Sequence, residues 1–206
     1  MELSIQKLSK AFNQKVIFAN LDLEIPTGAR LAISGSNGAG KSTLLKILSG
    51  GALPNSGRIQ YRHRGQSIHE ERLFRYVHFV APYNSVIEEL TLPELFAMHH
   101  DLGALYQFAD YSSWVQRLDY PFKKSAIIKT YSSGMKQRIK LGLTLLDDRP
   151  LILLDEPTSN LDAAGKSWFY SLLQQLSADQ TLIIATNDDG EKAYCNTEIN
   201  IEKYSG

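Results

Sequence analysis

The 206-residue chain is 43% hydrophobic and 21% charged, the make-up of a soluble globular protein with room for one domain or one domain carrying a small inserted lobe. Its 22 Lys and Arg balance 22 Asp and Glu, which removes any bulk electrostatic case for nucleic acid. The single cysteine, Cys195, excludes an intrachain disulfide and makes a reducing compartment the expectation.

Met1 to Lys7 lack a basic stretch followed by an apolar one, which predicts no secretory signal. Apolar runs such as Leu151 to Leu154 fall far short of the roughly 20 residues that span a bilayer, so any membrane role is expected to run through a partner. The N-terminal third reads as strands; Leu21, Leu23 and Ile25 alternate with Asp22 and Glu24, a period of two that suits a half-buried strand. Pro26-Thr27-Gly28 is a turn, and Arg30 to Ser34 predicts a short buried strand entering a glycine-rich loop. Lys41 to Ser49 has helical spacing at Leu44, Leu45 and Leu48, ended by Gly50-Gly51 and Pro54-Asn55-Ser56-Gly57. Arg58 to Tyr61 and Val77 to Val80 are further strand candidates. From about Thr91 to Leu146 the pattern is mostly helical, with Pro93 near a helix start. Leu151 to Leu154 and Thr181 to Ala185 read as buried parallel strands. A helix after Asp162, with Phe169, Leu172, Leu173 and Leu176 on one face, separates them. Strands alternating with helices around a helical insertion predict an α/β core with a helical lobe.

Gly35-Ser36-Asn37-Gly38-Ala39-Gly40-Lys41-Ser42 matches the G-x-x-x-x-G-K-[ST] phosphate loop, with a strand before it and a helix after it. The glycines let successive N–H groups turn inward, where they and the helix N-terminus bind phosphate oxygens. Lys41 is expected to reach the β- and γ-phosphates, the Ser42 hydroxyl to ligate Mg²⁺, and Thr43 to add a phosphate contact. The motif alone means only a nucleotide phosphate.

Asp155 and Glu156 follow directly on Leu151 to Leu154, which places both acids at the C-terminal end of a buried strand, the edge where open α/β sheets bind ligands. Asp155 suits the Mg²⁺ shell. Glu156 is the candidate general base that polarises an attacking water.

Tyr131-Ser132-Ser133-Gly134-Met135-Lys136-Gln137-Arg138 resembles the signature of the ATP-binding-cassette (ABC) ATPases. Asp155-Glu156-Pro157-Thr158 resembles that family's Walker B segment, and Ser159-Asn160-Leu161-Asp162 its D-loop. The order and spacing of these motifs with the phosphate loop are specific, and the resemblance covers essentially the whole chain. It implies a P-loop NTPase core with a mostly parallel sheet, an N-terminal antiparallel β subdomain and an inserted α-helical subdomain. Residues 1–206 would form a single nucleotide-binding domain, with 1–84 and 150–206 as the catalytic lobe and 85–149 as the helical lobe. Ser132, Ser133, Gly134 and Met135 would open a helix as a second anion site, which in the family meets the γ-phosphate held by a second copy's phosphate loop. Phe12 stands where the family places an aromatic that stacks on adenine; a core phenylalanine is the rival reading.

The chain departs from the family's pattern at two positions. Pro82 takes the place of the Q-loop glutamine, and proline has no side-chain donor or acceptor. Asn187 replaces the switch histidine; its amide can still donate to a γ-phosphate but cannot change protonation near neutral pH. His63, His69, His99 and His100 lack metal-ligand spacing and read as solvated surface, as does the Arg62-His63-Arg64 cluster.

The resemblance implies an ATPase that uses ATP and Mg²⁺, slowed by Pro82 and Asn187. It would drive a separate transmembrane permease subunit, in export by the form of the signature, as a head-to-tail dimer with a second copy or a related cassette. That places it peripherally on the cytoplasmic face of the cell membrane, with no nucleic-acid partner. The short cassette is also similar to the haem-exporter ATPase branch. Two other readings stay open: an ATP-binding conformational switch with little or no hydrolysis, and a soluble ABC protein acting in translation or repair.

Overall fold

The computed structural model describes residues 1–13 and 15–205. Strand β1 (Glu2–Phe12) buries Leu3, Ile5 and Leu8. The step from Ile5 to Leu8 breaks strict alternation. A bulge absorbs the extra residue at Lys7, whose φ of 49° is left-handed and whose N–H donates to Asp22 Oδ1 at 2.8 Å. Leu8 is thereby returned to the core face. Strand β2 (Lys15–Ile25) lies antiparallel to β1, with Leu3 opposite Ile25 and Leu8 opposite Leu21.

The chain continues through β3 (Arg30–Ser34), α1 (Lys41–Leu48), β4 (Ser56–His63), β5 (Gln66–Ile68) and β6 (Val77–Val80). The helical stretch follows as α2 (Leu92–Asp101), α3 (Tyr111–Arg117) and α4 (Ser133–Leu145). Then come β7 (Leu151–Asp155), α5 (Ala163–Gln175), β8 (Thr181–Ala185), α6 (Asp189–Lys192) and β9 (Thr197–Asn200). An antiparallel sheet has the order β2-β1-β4-β5, and a parallel sheet the order β6-β7-β8-β3-β9. The α/β class with a parallel core and an N-terminal antiparallel sheet is therefore as the sequence predicts. Strand β4 extends beyond the Arg58 to Tyr61 that it marked, and β9 lies where it marked no strand.

By contacts the chain divides into two units. The first comprises Met1–Ala81, Arg149–Glu156 and Leu176–Gly206, and the second Pro82–Asp148 and Pro157–Gln175. The first unit holds both sheets over one core, in which Leu44, Leu45 and Leu48 of α1 meet Leu3, Ile5 and Leu21 of the antiparallel sheet and Ile33, Leu153 and Ile183 of the parallel one. Because β7, β8 and β3 are neighbours and parallel, the residues that follow Asp155, Ala185 and Ser34 leave the sheet along one edge.

The second unit is helical around Trp114, which is fully buried with the Phe96 ring centroid at 5.6 Å. Helix α2 starts where Pro93 suggested, in a capping box: the Thr91 N–H donates to Glu94 Oε2 at 2.7 Å. The 91–146 stretch is more broken than its apolar pattern predicts. Gly103 with φ of 78° ends the first helical segment, and Pro121 lies in the loop after α3, where it cannot supply a helical N–H. Among the described residues no helix is long and apolar enough to cross a membrane.

Candidate functional site

The phosphate loop joins the end of β3 to α1, and its glycines are there for different reasons. Gly35, Gly38 and Gly40 have φ of 143°, 83° and 106°, the left-handed region that disfavours a side chain. A Cβ at Gly40 would lie 2.4 Å from Ile17 Cγ2, so this glycine also lets the loop pack on β2. A Cβ at Gly38 would meet nothing within 4 Å, so there the chain faces open space. Gly40 is the N-cap of α1, and no side chain caps that helix. Its first N–H groups are thus left for an outside acceptor, and the helix dipole favours an anion there.

Lys41 is 5% exposed and folds back on the loop: Nζ donates to the carbonyls of Gly35 at 2.6 Å and Ser36 at 3.2 Å. A cavity of about 210 Å³ lies over the loop, lined by Ile17, Asn37, Gly38, Gly40, Lys41, Ser42, Thr43 and Glu156. Ala39 closes the loop's turn, its N–H donating to the Ser36 carbonyl at 3.1 Å. Ile17 carries no motif, and sequence reading missed it.

Asp155 ends β7 and is 2% exposed. Burial pushes its carboxyl above the usual range, with a hydrogen bond from the Ser42 hydroxyl and the Lys41 charge opposing the shift. A buried carboxylate beside a hydroxyl is an all-oxygen pair that fits Mg²⁺. Glu156 is exposed and left-handed at φ of 44°, its backbone N–H held by the Ala185 carbonyl at 2.9 Å. This strained turn places Glu156 in the wall of the cavity over the loop. Asn187, two residues past β8, accepts the Gly35 N–H at its Oδ1 at 3.4 Å. The structure thus gathers phosphate loop, Asp155, Glu156 and Asn187 at one sheet edge.

Phe12 ends β1 at 54% exposure, with the Lys10 ammonium 4.9 Å from its ring centroid. The core reading of Phe12 is therefore overturned: its ring is open to a partner.

The signature lies wholly in the second unit. Ser132 caps α4, its Oγ accepting the Met135 N–H at 3.2 Å, and Ser133 and Gly134 form the first turn. A Cβ at Gly134 would come 2.8 Å from the Asn160 carbonyl, so glycine lets α4 approach the Asn160 turn. Ser132, Ser133, Gly134, Met135, Asn160 and Asp162 line a hollow of about 240 Å³ together with Tyr120 and Arg138. Arg138 is 6% exposed: Nε donates to the Leu118 carbonyl at 2.5 Å, and the guanidinium stacks 4.4 Å from the Trp168 ring centroid. Gln137 Nε2 donates to the Pro157 carbonyl at 2.7 Å. Both residues are struts, which the sequence marked only as the end of the signature-like segment. Asp162 Oδ1 accepts the Gly165 N–H at 2.7 Å, fixing the start of α5. Pro82 is exposed just after β6. Among the described residues no group of three or more His, Cys, Asp and Glu is arranged to hold a metal.

The ABC transporter family model matches residues 18–159. The chain is 29% identical over 202 residues to the cytochrome c biogenesis ATP-binding export protein CcmA of Paraburkholderia xenovorans, covering 89% of each chain. It is 32% identical over 206 residues to ABC transporter A family member 8 of Dictyostelium discoideum, of which it spans only 23%. A putative ABC transporter ATP-binding protein of Pyrococcus furiosus shares the fold, with a TM-score of 0.81 at 23% identity and full coverage of both chains.

Proposed function

The chain belongs to the ABC transporter family, and from that premise we propose that it is an ATP-hydrolysing motor that couples closure of a head-to-tail dimer to translocation by a separate membrane subunit. The single observation that carries this reading is the cavity over Gly38 to Thr43. Uncapped helix donors, a buried lysine and Glu156 converge there on a space suited to a nucleotide's phosphates.

On ATP binding, Lys41 exchanges the Gly35 and Ser36 carbonyls for the β- and γ-phosphate oxygens. The N–H groups of Gly38, Gly40, Lys41, Ser42 and Thr43 donate to the phosphate oxygens and offset the remaining charge. Ser42 and Asp155 would hold Mg²⁺, which when bound neutralises charge on the β- and γ-oxygens. Glu156 takes a proton from the attacking water. With its Oδ1 engaged by Gly35, Asn187 presents amide N–H donors to a γ-phosphate oxygen. Phe12 offers its ring face to the base. Ser132, Ser133, Gly134 and Met135 of a second copy complete the site, so each unit of this single nucleotide-binding domain serves a different copy's nucleotide. The resemblance to an export protein supports export, with the chain held at the cytoplasmic face of the membrane by its permease.

The test is Mg²⁺-dependent phosphate release by the purified chain beside Glu156→Gln, with ATP binding measured in parallel. Turnover should fall at least about 100-fold in the variant while affinity stays within about twofold. Pro82 and Asn187 favour a second reading, a switch that binds ATP with little hydrolysis. Tight binding without steady phosphate release, with the membrane subunit present, would establish it. No ATP binding by the wild-type chain would sink both.

A further inference from the structure

The first turn of the phosphate loop is gripped from the far end of the chain. After β9 the backbone makes a 3₁₀ turn, Ile201–Tyr204. Its carboxylate Glu202 accepts from both the Ser36 N–H, at 3.0 Å, and the Ser36 hydroxyl, at 2.5 Å, through the same Oε1. Asn200 Oδ1 accepts the Glu202 N–H at 2.8 Å and fixes the start of the turn. Ile201 is fully buried, and its Cγ2 lies 2.8 Å from where a Gly35 Cβ would stand. Ser36 is thus held on both sides of its backbone: N–H on Glu202, carbonyl on Lys41.

We propose that Glu202 is a positioning residue for ATP binding, a carboxylate clasp that keeps the first turn of the phosphate loop in its binding shape when Lys41 leaves the loop carbonyls for the nucleotide. The proposal rests on the nucleotide reading of the loop. It follows from the order of events that reading requires. Lys41 holds the Gly35 and Ser36 carbonyls only before the nucleotide arrives. Once Lys41 turns to phosphate, Ser36 keeps the Ala39 N–H on its carbonyl, a bond within the loop, and its two bonds to Glu202, which tie it to a segment outside the loop. The two Ser36 bonds and the Lys41 charge hold the Glu202 carboxyl below its usual range, so the clasp is ionised at neutral pH. Glu202 does not line the cavity over the loop, so it acts through Ser36 and not on the nucleotide. An anion placed near a phosphate site for no structural purpose would oppose binding by charge alone. The clasp therefore predicts an effect of opposite sign to that of simple electrostatics.

The test is the affinity of the full chain for a fluorescent ATP analogue in wild type, Glu202→Ala, Glu202→Gln, Ser36→Ala and the Glu202→Ala/Ser36→Ala double variant. KM and kcat for ATP and thermal unfolding are measured on each. Glu202 is exposed, so its variants are expected to fold. Glu202→Ala should weaken affinity about fivefold, Ser36→Ala by less, because its backbone N–H still reaches Glu202, and the double variant no more than Glu202→Ala, because both changes act through one clasp. Glu202→Gln, which keeps an acceptor oxygen, should recover most of the affinity, and KM should move more than kcat. The proposal is overturned if Glu202→Ala binds the analogue as tightly as wild type or more tightly, or if the two single losses multiply. A lowered unfolding temperature with unchanged affinity overturns it too, by making the contact purely structural. A wild-type chain that binds no analogue removes the nucleotide reading itself, an outcome distinct from any of these.

Discussion

The chain carries two helix N-termini at candidate anion sites, and they are built in opposite ways. Helix α1 begins at a left-handed glycine with no capping side chain, under a loop that faces open space. Helix α4 begins at Ser132, whose hydroxyl already accepts the Met135 N–H. The first is a set of unspent donors reinforced by a buried lysine; the second is a satisfied cap with hydroxyls to offer, and the cation that lines its hollow, Arg138, is engaged by the Leu118 carbonyl and the Trp168 ring. The difference teaches a division of labour. The first unit should set the affinity for ATP, and the second should matter only once a nucleotide is already held.

A matched pair of glycine substitutions tests that division most severely. Gly40→Ala forces a side chain into a left-handed residue against Ile17, and should weaken ATP binding at least about 100-fold. Gly134→Ala, which pushes α4 off the Asn160 carbonyl, should leave binding within about twofold while phosphate release falls about 100-fold. Equilibrium binding and phosphate release on both variants, with circular dichroism to verify folding, decide the matter. Equal losses of binding would abolish the distinction.

The same comparison can be sharpened through stability. Arg138→Met removes a buried cation that joins α4 to the Leu118 carbonyl and the Trp168 ring. It should cost about 2–3 kcal/mol in urea unfolding by leaving that carbonyl without its donor. ATP affinity should be unchanged, because Arg138, Leu118 and Trp168 are not among the residues that line the loop's cavity.

The two regions also differ in how far they could be read from the chain. The loop was legible because its conformation admits only glycine at Gly35, Gly38 and Gly40, and because Lys41 and Ser42 must follow at once to meet one ligand. Asp155 and Glu156 were legible because two acids after a run of buried apolar residues have one place to go, the sheet edge. What makes the loop rigid was not legible. Ile17 under Gly40 and Glu202 on Ser36 are brought in by strand order, which depends on the whole sheet and not on local spacing. Arg138 was hidden for another reason: its burial depends on Trp168 on a different helix, and nothing in the signature-like segment itself marks a buried arginine.

Phe12 is a case the sequence left open and its 54% exposure resolves toward the surface. Loss of a stacking ring in Phe12→Ala should weaken ATP about fivefold, near the low end of base–aromatic stacking. An affinity that is equal for ATP and for a phosphate-only ligand such as tripolyphosphate, and unchanged in the variant, would remove Phe12 from the site.

The smallest expected effect bears on turnover within the first unit. Asn187 hangs from Gly35 by its Oδ1, so its hold on the loop and its offer of a donor to the γ-phosphate come from the same amide. An amide does both but stays neutral, whereas an imidazole can take up a proton as charge develops on the departing phosphate. Asn187→His should therefore raise phosphate release at saturating ATP by about threefold and add a dependence on pH near neutrality that the wild type lacks. A gain without the new pH dependence would mean that the ring acts by shape alone. No gain would shift the burden to Pro82, the other position at which the sequence differs from the pattern it resembles.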